Sequence, residues 1–384
     1  MIISLKKFYN NKGFFLNLIY FMFFAVFLGI LSWYIKTRYD HWVYPLANYG
    51  VLALLAAFIS IIITPVVIYF AKNIKAIDQT MSKRFQKKPT PLLGGISIYL
   101  SVVLTLLFHK SLNPQLLSII IGGTIIFIIG TIDDIYPLSS TLRLFSQLAA
   151  SIIIMSNGLI VSFMPKTFIG NILACLITFI WILGIINATN FFDGADGLAT
   201  GVSCIASLFF FIIALHLEQR GLCVLAAAVI GACIGFLFFN FKPAKIYLGD
   251  GGSTFLGFCL ASIAIYGGWS SRTAFAALGI PVLILSPLIF DMIYITIARI
   301  YNKKVRSFRE WLDYTARDHL HHRLINIGFK EKNAVLWIYL FGSAMGMSAL
   351  GIENAKMSYP IVLELITTGI IFISVSIIMI TGKK

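Results

Sequence analysis

Charged residues are scarce in this 384-residue chain, where only 12% are Asp, Glu, Lys or Arg and 59% are hydrophobic. Soluble globular domains carry about 25% charged residues, so this composition excludes a soluble protein. Cysteine is scarce too: all five cysteines fall in apolar runs without a C-x-x-C pair, which excludes a disulfide scaffold and a cysteine-based zinc site. Only 15 residues are acidic, so their positions are informative.

Long apolar runs are abundant and follow one another along the chain, close to the roughly 20 residues that a membrane-spanning helix needs. They predict an all-α fold, a polytopic membrane helix bundle of about 10–12 transmembrane helices. The whole chain, 1–384, forms one membrane domain in this interpretation, with residues 1–44 as an extra, retained N-terminal span. The predicted spans are 14–35, 48–71, 94–109, 115–132, 138–156, 167–187, 197–215, 222–240, 253–268, 277–299, 334–351 and 361–380.

The net charge of +15 comes from 30 basic residues whose distribution matters more than their number. Most of them lie in alternate loops, which the positive-inside rule assigns to the cytoplasm, and both termini are then cytoplasmic. One such loop carries Lys83, Arg84, Lys87 and Lys88. The excess positive charge fits anionic membrane lipids, and we expect no nucleic-acid partner.

The stretch N-A-T-N-F-F-D-G-A-D-G-L-A, residues 187–199, is the strongest polar motif. Asn187, Asn190, Asp193 and Asp196 recur every three residues, a step that would place them on one face of a helix end or tight turn. Unpaired polar groups are costly at membrane depth and usually mark a functional site. The alternative is a polar loop that caps the next span.

A second motif, G-T-I-D-D-I-Y-P-L, carries adjacent carboxylates at Asp133 and Asp134. Such a pair suits Mg²⁺ that carries a diphosphate, although a turn-forming acidic pair before Pro137 is an equal alternative. Arg143 follows in the next span, where pairing with Asp134 and pairing with a substrate phosphate are both open.

A third motif, P-A-K-I-Y-L-G-D-G-G-S, sets Asp250 among three glycines. This arrangement suits a carboxylate ligand of a metal held against a phosphate chain, with Lys242 and Lys245 adding positive charge. A simple turn is the alternative.

The longest inner loop carries H-L-H-H-R, in which His319, His321 and His322 are followed by Arg323. Mixed histidine and arginine donors favour binding of phosphate oxygens over a zinc site. A solvated surface helix is the third alternative.

All of these motifs fall in loops of the inner side, so we expect them to converge on one cytoplasmic site. Carboxylates, basic residues and histidines at a membrane face suit Mg²⁺-assisted phosphoryl transfer between a soluble donor and a lipid. A cation-coupled secondary transporter is the competing class. Its acidic residues would lie in mid-span rather than in loops at one face.

In their order along the chain and in the side of the membrane on which they fall, the motifs resemble those of the polyprenyl-phosphate N-acetylhexosamine-1-phosphate transferases, the WecA, TagO and MraY type. The resemblance covers about residues 45–380. The resemblance implies attack by a lipid such as undecaprenyl phosphate on a UDP-N-acetylhexosamine, giving the lipid-diphospho-sugar and UMP. It implies a bacterial cytoplasmic membrane enzyme that starts a surface glycan such as O-antigen, capsule or a teichoic acid linkage. A homodimer is a further expectation.

The resemblance also implies roles for individual residues. Asp133 would activate the lipid phosphate, Asp134 would support the metal region, and Asp250 with Asp193 would bind Mg²⁺, with Mn²⁺ as an alternative ion. Arg143 stands where the family commonly has lysine. The residues implied in substrate binding are Asn187, Asn190, Asp193 and Asp196 for the nucleotide, and His319, His321, His322 and Arg323 for the diphosphate.

The chain departs from the family pattern in its first inner loop, where Gln86 replaces a histidine and Leu92 and Leu93 replace an arginine. The H-L-H-H-R motif resembles the WecA-like branch, so UDP-GlcNAc is the favoured donor. A UDP-6-deoxy-N-acetylhexosamine and UDP-MurNAc-pentapeptide are the alternatives.

Overall fold

The computed structural model describes residues 43–78, 89–109, 112–269, 274–307, 310–311, 314, 316, 318–354 and 358–382. Several predictions concern residues outside these ranges. They are the N-terminal span 14–35, the basic residues Lys83, Arg84, Lys87 and Lys88 with Gln86, and both chain termini.

The described chain is helical almost throughout, as predicted. Its helices are α1 (Val43–Asn73), α2 (Gly95–Phe108), α3 (Pro114–Ile135), α4 (Ser140–Ser156), α5 (Phe168–Phe192), α6 (Leu198–His216), α7 (Arg220–Asn240), α8 (Gly249–Tyr266), α9 (Ala274–Ile284), α10 (Ser286–Tyr301), α11 (Leu320–Asn326), α12 (Glu331–Asn354) and α13 (Ser358–Thr381).

Six described helices are long and apolar enough to cross a membrane: α1, α3, α5, α6, α7 and α12. A seventh span results if α9 and α10 are counted together, and α2, α4 and the second part of α13 are shorter apolar helices. These properties agree with a polytopic helical membrane protein. The five cysteines are all free thiols.

Small residues let the helices approach closely in the centre of the bundle. A Cβ atom at Gly231 or Gly235 of α7 would meet the backbone of Ala53 or Ala57 on α1. Gly95 at the start of α2 likewise lies against Gly252 of α8. Such contacts are typical of membrane helices, which associate through tight packing.

The span predicted for 277–299 is broken rather than straight. Helices α9 and α10 meet at Leu285 with a bend of 79°. Pro287, in the first turn of α10, has no N–H for the carbonyl one turn earlier, and its ring would clash with that carbonyl in a continuous helix. The break turns α10 toward the end of the bundle that carries the polar motifs.

The only strands in the described part are β1 (Ile77–Asp78) and β2 (Thr90–Pro91), which pair antiparallel. The Tyr247 N–H donates to the Pro91 carbonyl, and the Gly94 N–H donates to the Tyr247 carbonyl. These bonds tie the chain before α8 to the chain before α2. They fix the position of the loop that leads into Asp250.

Candidate functional site

The start of α8 is held by a carboxylate from α3. Asp134 accepts hydrogen bonds from the backbone N–H groups of Asp250, at 2.7 Å, and Gly251, at 3.1 Å. A helix N-terminus has unsatisfied N–H groups and a positive dipole end, so a carboxylate there stabilises the helix. Asp134 therefore fastens the Asp250 loop to α3, and its oxygens are occupied by protein donors.

Glycine is required where these two elements meet. Gly249 has a φ of +77°, and a Cβ atom there would contact the Asp134 carboxylate. A Cβ atom at Gly130, one turn before Asp134, would clash with Asp250 and Gly251. The glycines flanking Asp250 are thus required for the close packing of α8 against α3, whether or not they also contact a ligand.

Arg143 forms an ion pair with Asp133, not with Asp134, which was the carboxylate partner expected from the sequence. The Arg143 Nη1 atom lies 3.3 Å from Asp133 Oδ2 and 4.0 Å from Asp250 Oδ2. Asp133 lies in the last turn of α3 and also accepts a 2.6 Å hydrogen bond from the Leu138 N–H, a contact that stabilises the turn after the helix. The Asp250 carboxylate acts electrostatically on Asp133.

Asn190 joins α5 to the same cluster. Its Nδ2 atom donates to Asp250 Oδ1 and to Ser253 Oγ, each at 3.0 Å. One turn earlier, Asn187 donates to Gln147 Oε1 at 3.0 Å and to the Leu183 carbonyl at 2.7 Å. Both asparagines therefore face the aspartate cluster and α4.

The remaining two members of the three-residue series diverge. Asp193 is the C-terminal cap of α5 and acts electrostatically on Asp134. Asp196 is buried, and its Oδ2 atom accepts a 3.0 Å bond from the Ala244 N–H. The chain turns at Gly194, so the predicted single face holds for the asparagines but not for Asp196.

Two adjoining hollows open between α3, α4, α5 and the start of α8, and together we call them the polar hollow. Its apolar side includes Ile126 and Ile129. Its polar lining consists of Asp133, Ser140, Arg143, Ser146, Gln147, Asn187, Asn190, Asp250 and Thr254.

The H-L-H-H-R motif forms the start of α11, and Asp318–Arg323 is called the histidine segment below. His319, His321, His322 and Arg323 are all buried, so the interpretation as a solvated surface helix is wrong. His321 packs against Gly194, where an added Cβ atom would lie 2.6 Å from its ring. This contact brings the histidine segment to the turn after Asn190.

Two ionisable groups of α10 hold the histidine segment. Asp291 Oδ2 lies 2.7 Å from His319 Nδ1, and its Oδ1 accepts a 2.7 Å bond from the Leu320 N–H. Arg299 donates from Nε and Nη2 to both Asp318 oxygens, at 2.9 and 2.8 Å. Burial alone would raise the pKa of Asp318, but the bonds and charge of Arg299, with His319 nearby, hold that pKa below its ordinary value.

The basic residues before Asp250 point elsewhere. Lys242 forms a close ion pair with Glu331 at the start of α12. The Lys245 ammonium lies 5.9 Å from the centre of the Phe239 ring. Neither contact supports the expected role beside Asp250.

No preformed metal centre exists in the described part of the chain, where no three His, Cys, Asp or Glu side chains are grouped as ligands. This gives the zinc interpretation of the histidines no support. The oxygen donors near Asp250 fit a different kind of ion, because Mg²⁺ usually keeps several waters and takes only one or two carboxylates plus substrate phosphates. The Asp250 side chain is 42% exposed and open to such a ligand.

Gln147, Asp291, Arg299 and Asp318 were missed by sequence reasoning. A signal existed for three of them. Gln147 lies one turn after Arg143 on the same helix face, and Asp291 and Arg299 are ionisable residues inside an apolar run, which by itself suggests function.

Comparison with known proteins adds an independent finding. Residues 116–268, from α3 to just beyond α8, match glycosyl transferase family 4. Over 303 residues the chain is 36% identical to the probable undecaprenyl-phosphate N-acetylglucosaminyl 1-phosphate transferase of Bacillus subtilis (strain 168), covering 77% of this chain and 83% of the relative.

More distant relatives cover most of the chain as well. The decaprenyl-phosphate N-acetylglucosaminephosphotransferase of Mycobacterium leprae is 29% identical over 348 residues, or 82% of this chain and 86% of the relative. The phospho-N-acetylmuramoyl-pentapeptide-transferase of Caldicellulosiruptor bescii is 28% identical over 332 residues, or 80% and 98%.

Proposed function

Because the chain belongs to glycosyl transferase family 4, the polyprenyl-phosphate N-acetylhexosamine-1-phosphate transferases, we propose that it transfers N-acetylglucosamine 1-phosphate from UDP-GlcNAc to undecaprenyl phosphate. The products are the lipid-diphospho-sugar and UMP. The observation that carries this proposal is the 36% identity to the Bacillus subtilis relative along most of both chains.

The chemistry of the site supports the same reaction. Both substrates are phosphate anions, so their reaction requires positive charge and fixed hydrogen-bond donors. Arg143 supplies a charged donor in the polar hollow, which Asn187 and Asn190 also line, and the histidine segment supplies more donors beside it. Asp133 and Asp250 supply oxygen ligands.

The acceptor is a lipid, and two apolar surfaces suit its chain. Ile126 and Ile129 line one side of the polar hollow. A separate groove runs along α10, lined by Ile289, Phe290, Ile293, Tyr294 and Ile297 together with Phe372 of α13. A prenyl chain in such a groove would leave its phosphate near the polar end of α10.

In the chemical step an oxygen of the lipid phosphate attacks the β-phosphorus of the UDP-sugar. The bond between that phosphorus and the bridging oxygen breaks, and the oxygen leaves with UMP. Asp133 and Arg143 would orient the lipid phosphate, whereas His319, His321, His322 and Arg323 would hold the diphosphate. Asn187, Asn190 and Asp196 would contribute to nucleotide binding. Asp196 would do so indirectly, by holding the loop at the Ala244 N–H.

Asp250 and Asp193 would hold Mg²⁺, or Mn²⁺ in its place. When bound, such an ion neutralises charge on the diphosphate and on the leaving UMP. In the part of the chain that the structure describes, Asp133, Asp134 and Asp250 crowd beside one arginine, which supports a cation at this position because like charges at short range repel. Asp134 contributes by holding the Asp250 loop.

The donor and the cellular setting belong to this proposal. The H-L-H-H-R motif and the N-acetylglucosaminyl relatives favour UDP-GlcNAc. The phospho-N-acetylmuramoyl-pentapeptide-transferase relatives, at 27% to 35% identity, make UDP-MurNAc-pentapeptide the second candidate, and a UDP-6-deoxy-N-acetylhexosamine is the third. The chain would lie in the bacterial cytoplasmic membrane with the site facing the cytoplasm, as a monomer or a homodimer.

The test is UMP release by the purified protein with undecaprenyl phosphate and a panel of UDP-sugars. Release that requires the lipid and is fastest with UDP-GlcNAc supports the proposal. Faster release from UDP-MurNAc-pentapeptide would move the protein to the second candidate. No release from any donor by folded protein would contradict the reaction class.

A further inference from the structure

Helix α10 carries two ionisable side chains that fasten the two ends of the histidine segment. Asp291 and Arg299 are each only 1% exposed, and they lie two helical turns apart, which puts them on the same side of the helix. Asp291 holds His319 and the Leu320 N–H, whereas Arg299 holds Asp318. One anchor is negative and the other is positive. Together the two contacts fix the position of the histidine segment and the direction in which it runs along α10.

We infer that Asp291 and Arg299 are positioning residues for binding of the donor diphosphate. The inference rests on the proposed function, in which His319 and its neighbours bind that diphosphate. Asp291 and Arg299 act through the histidine segment and need not touch the substrate. They would therefore change donor binding more than acceptor binding.

The Asp291 carboxylate determines how the His319 ring can be used. A carboxylate at Nδ1 keeps a proton on that nitrogen, which leaves Nε2 as the nitrogen available to a ligand. The same contact fixes the orientation of the His319 ring beside the other donors of the histidine segment. The side-chain amide of asparagine has a similar shape but would donate to Nδ1, so the ring would change its tautomer and lose the bond that orients it.

The Arg299–Asp318 pair fixes the start of the segment. The guanidinium meets both carboxylate oxygens and also donates to the Tyr314 carbonyl at 3.3 Å. Its centre lies 4.8 Å from the Tyr314 ring. This bidentate geometry is specific to arginine, because the lysine ammonium cannot reproduce the planar pair of donors.

A buried ion pair by itself is a weak contribution to stability, since desolvation offsets much of the attraction. A purely structural role predicts that replacement of Asp291 lowers the amount of folded protein and alters all kinetic constants alike. A positioning role predicts a selective change in the KM for the UDP-sugar. The two roles are therefore separable by steady-state kinetics on folded protein.

The matched control is a second carboxylate–histidine pair at the other end of the bundle. His216 Nδ1 lies 3.6 Å from Glu353 Oε2, at the ends of α6 and α12 that are remote from the histidine segment. Glu353→Gln removes a carboxylate from this pair as Asp291→Asn does from the first. It should leave every kinetic constant within about twofold of wild type.

The experiment measures UMP release by full-length protein in detergent while UDP-GlcNAc and undecaprenyl phosphate are varied in turn. Asp291→Asn is expected to raise the KM for UDP-GlcNAc about 10- to 100-fold, the size of effect that loss of a buried charged hydrogen bond produces. The KM for the lipid should stay within about twofold. Asp291→Glu, which restores the charge, should recover part of the donor affinity.

A second set of variants keeps the test decisive if Asp291→Asn does not fold. Arg299→Lys and Asp318→Asn should each raise the donor KM, and the double variant should be no worse than the more severe single variant, because both break the same pair. Equal effects of Asp291→Asn and Glu353→Gln on folded protein, or additive effects at 299 and 318, would overturn the inference. Folded wild-type protein that releases no UMP would instead contradict the proposed function.

Discussion

The two sides of the site differ in how their charges are balanced. On the aspartate side, the described residues place Asp133, Asp134 and Asp250, with Asp193, around one arginine, Arg143. On the histidine side, Asp291 faces His319, and Arg299 faces Asp318, so each charge meets an opposite or complementary group. We therefore expect the aspartate side to take up a cation when substrate binds, whereas the contacts of the histidine side already pair its charges.

The largest expected effect comes from Asp250→Asn on the aspartate side. Loss of a proposed metal ligand should lower the rate of UMP release on the order of 10²–10³-fold. Because the change also relieves repulsion with Asp133, the melting temperature in EDTA should stay the same or rise.

Glu218→Gln, at an exposed position of the described chain, is the matched control and should leave the rate unchanged. A melting temperature that falls with Asp250→Asn would show that this carboxylate stabilises the fold. The aspartate side would then be stabilised by its charges, as the histidine side is, and the two sides would not differ in this respect.

Gly194→Ala tests the contact through which the two sides meet. The added methyl group would lie 2.6 Å from the His321 ring, so the histidine segment has to move away from the turn. We expect the rate to fall on the order of 10- to 100-fold, as small displacements of positioning groups do. Gly50→Ala, where nothing lies within 4 Å, is the control with the same chemical change.

Asp134→Ala should act through stability rather than chemistry. The variant loses both hydrogen bonds to the start of α8, which we expect to lower the free energy of unfolding by about 1–3 kcal/mol. Thr167→Ala, which removes a single cap bond to Gly170 at the start of α5, should cost about 1 kcal/mol. Thermal unfolding of the purified variants measures the difference. A stable Asp134→Ala protein without activity would instead favour a direct chemical role.

The smallest effect is the pH dependence of the histidine side. The pKa of Asp318 is held below its ordinary value, so its stabilising contribution is complete above the unfolded value of about 3.9 and is lost as the pH falls through the lower folded value. The melting temperatures of wild type and Asp318→Asn should therefore differ by the same amount between pH 7 and pH 5. Below about pH 4 the difference should shrink. A difference that grows on acidification would contradict this assignment.

The helical fold and the polar end of the bundle could be predicted because apolar runs and polar motifs alternate along the chain. The convergence of Asp133, Asn190 and Asp250 could also be predicted, because their loops all fall on the same side of the predicted membrane. The partner of Arg143 could not be predicted, since Asp133 and Asp134 are adjacent on a helix and point about 100° apart. Only the fold shows that Asp134 is used by α8 and Asp133 by Arg143.

The histidine side was harder to anticipate. The break at Leu285 lies between Pro281 and Pro287, and prolines within an apolar run are compatible with a kinked span as well as with two helices. Once the break turns α10, Asp291 and Arg299 reach a loop that begins after the helix has ended. Contacts between residues that lie 19 to 28 positions apart in the sequence are set by the packing of α10 rather than by any local sequence pattern. Asp196 likewise does not share the face of Asn187 and Asn190, because the chain bends at Gly194.

The most direct test of the account is UMP release from UDP-GlcNAc and undecaprenyl phosphate, measured with Mg²⁺, with EDTA, and with Mg²⁺ restored after EDTA. We predict release that needs the lipid, stops in EDTA and returns with the ion, because EDTA would remove the cation that we propose at Asp250 and Asp193. Equal release in EDTA, or none by folded protein under any of these conditions, would contradict it.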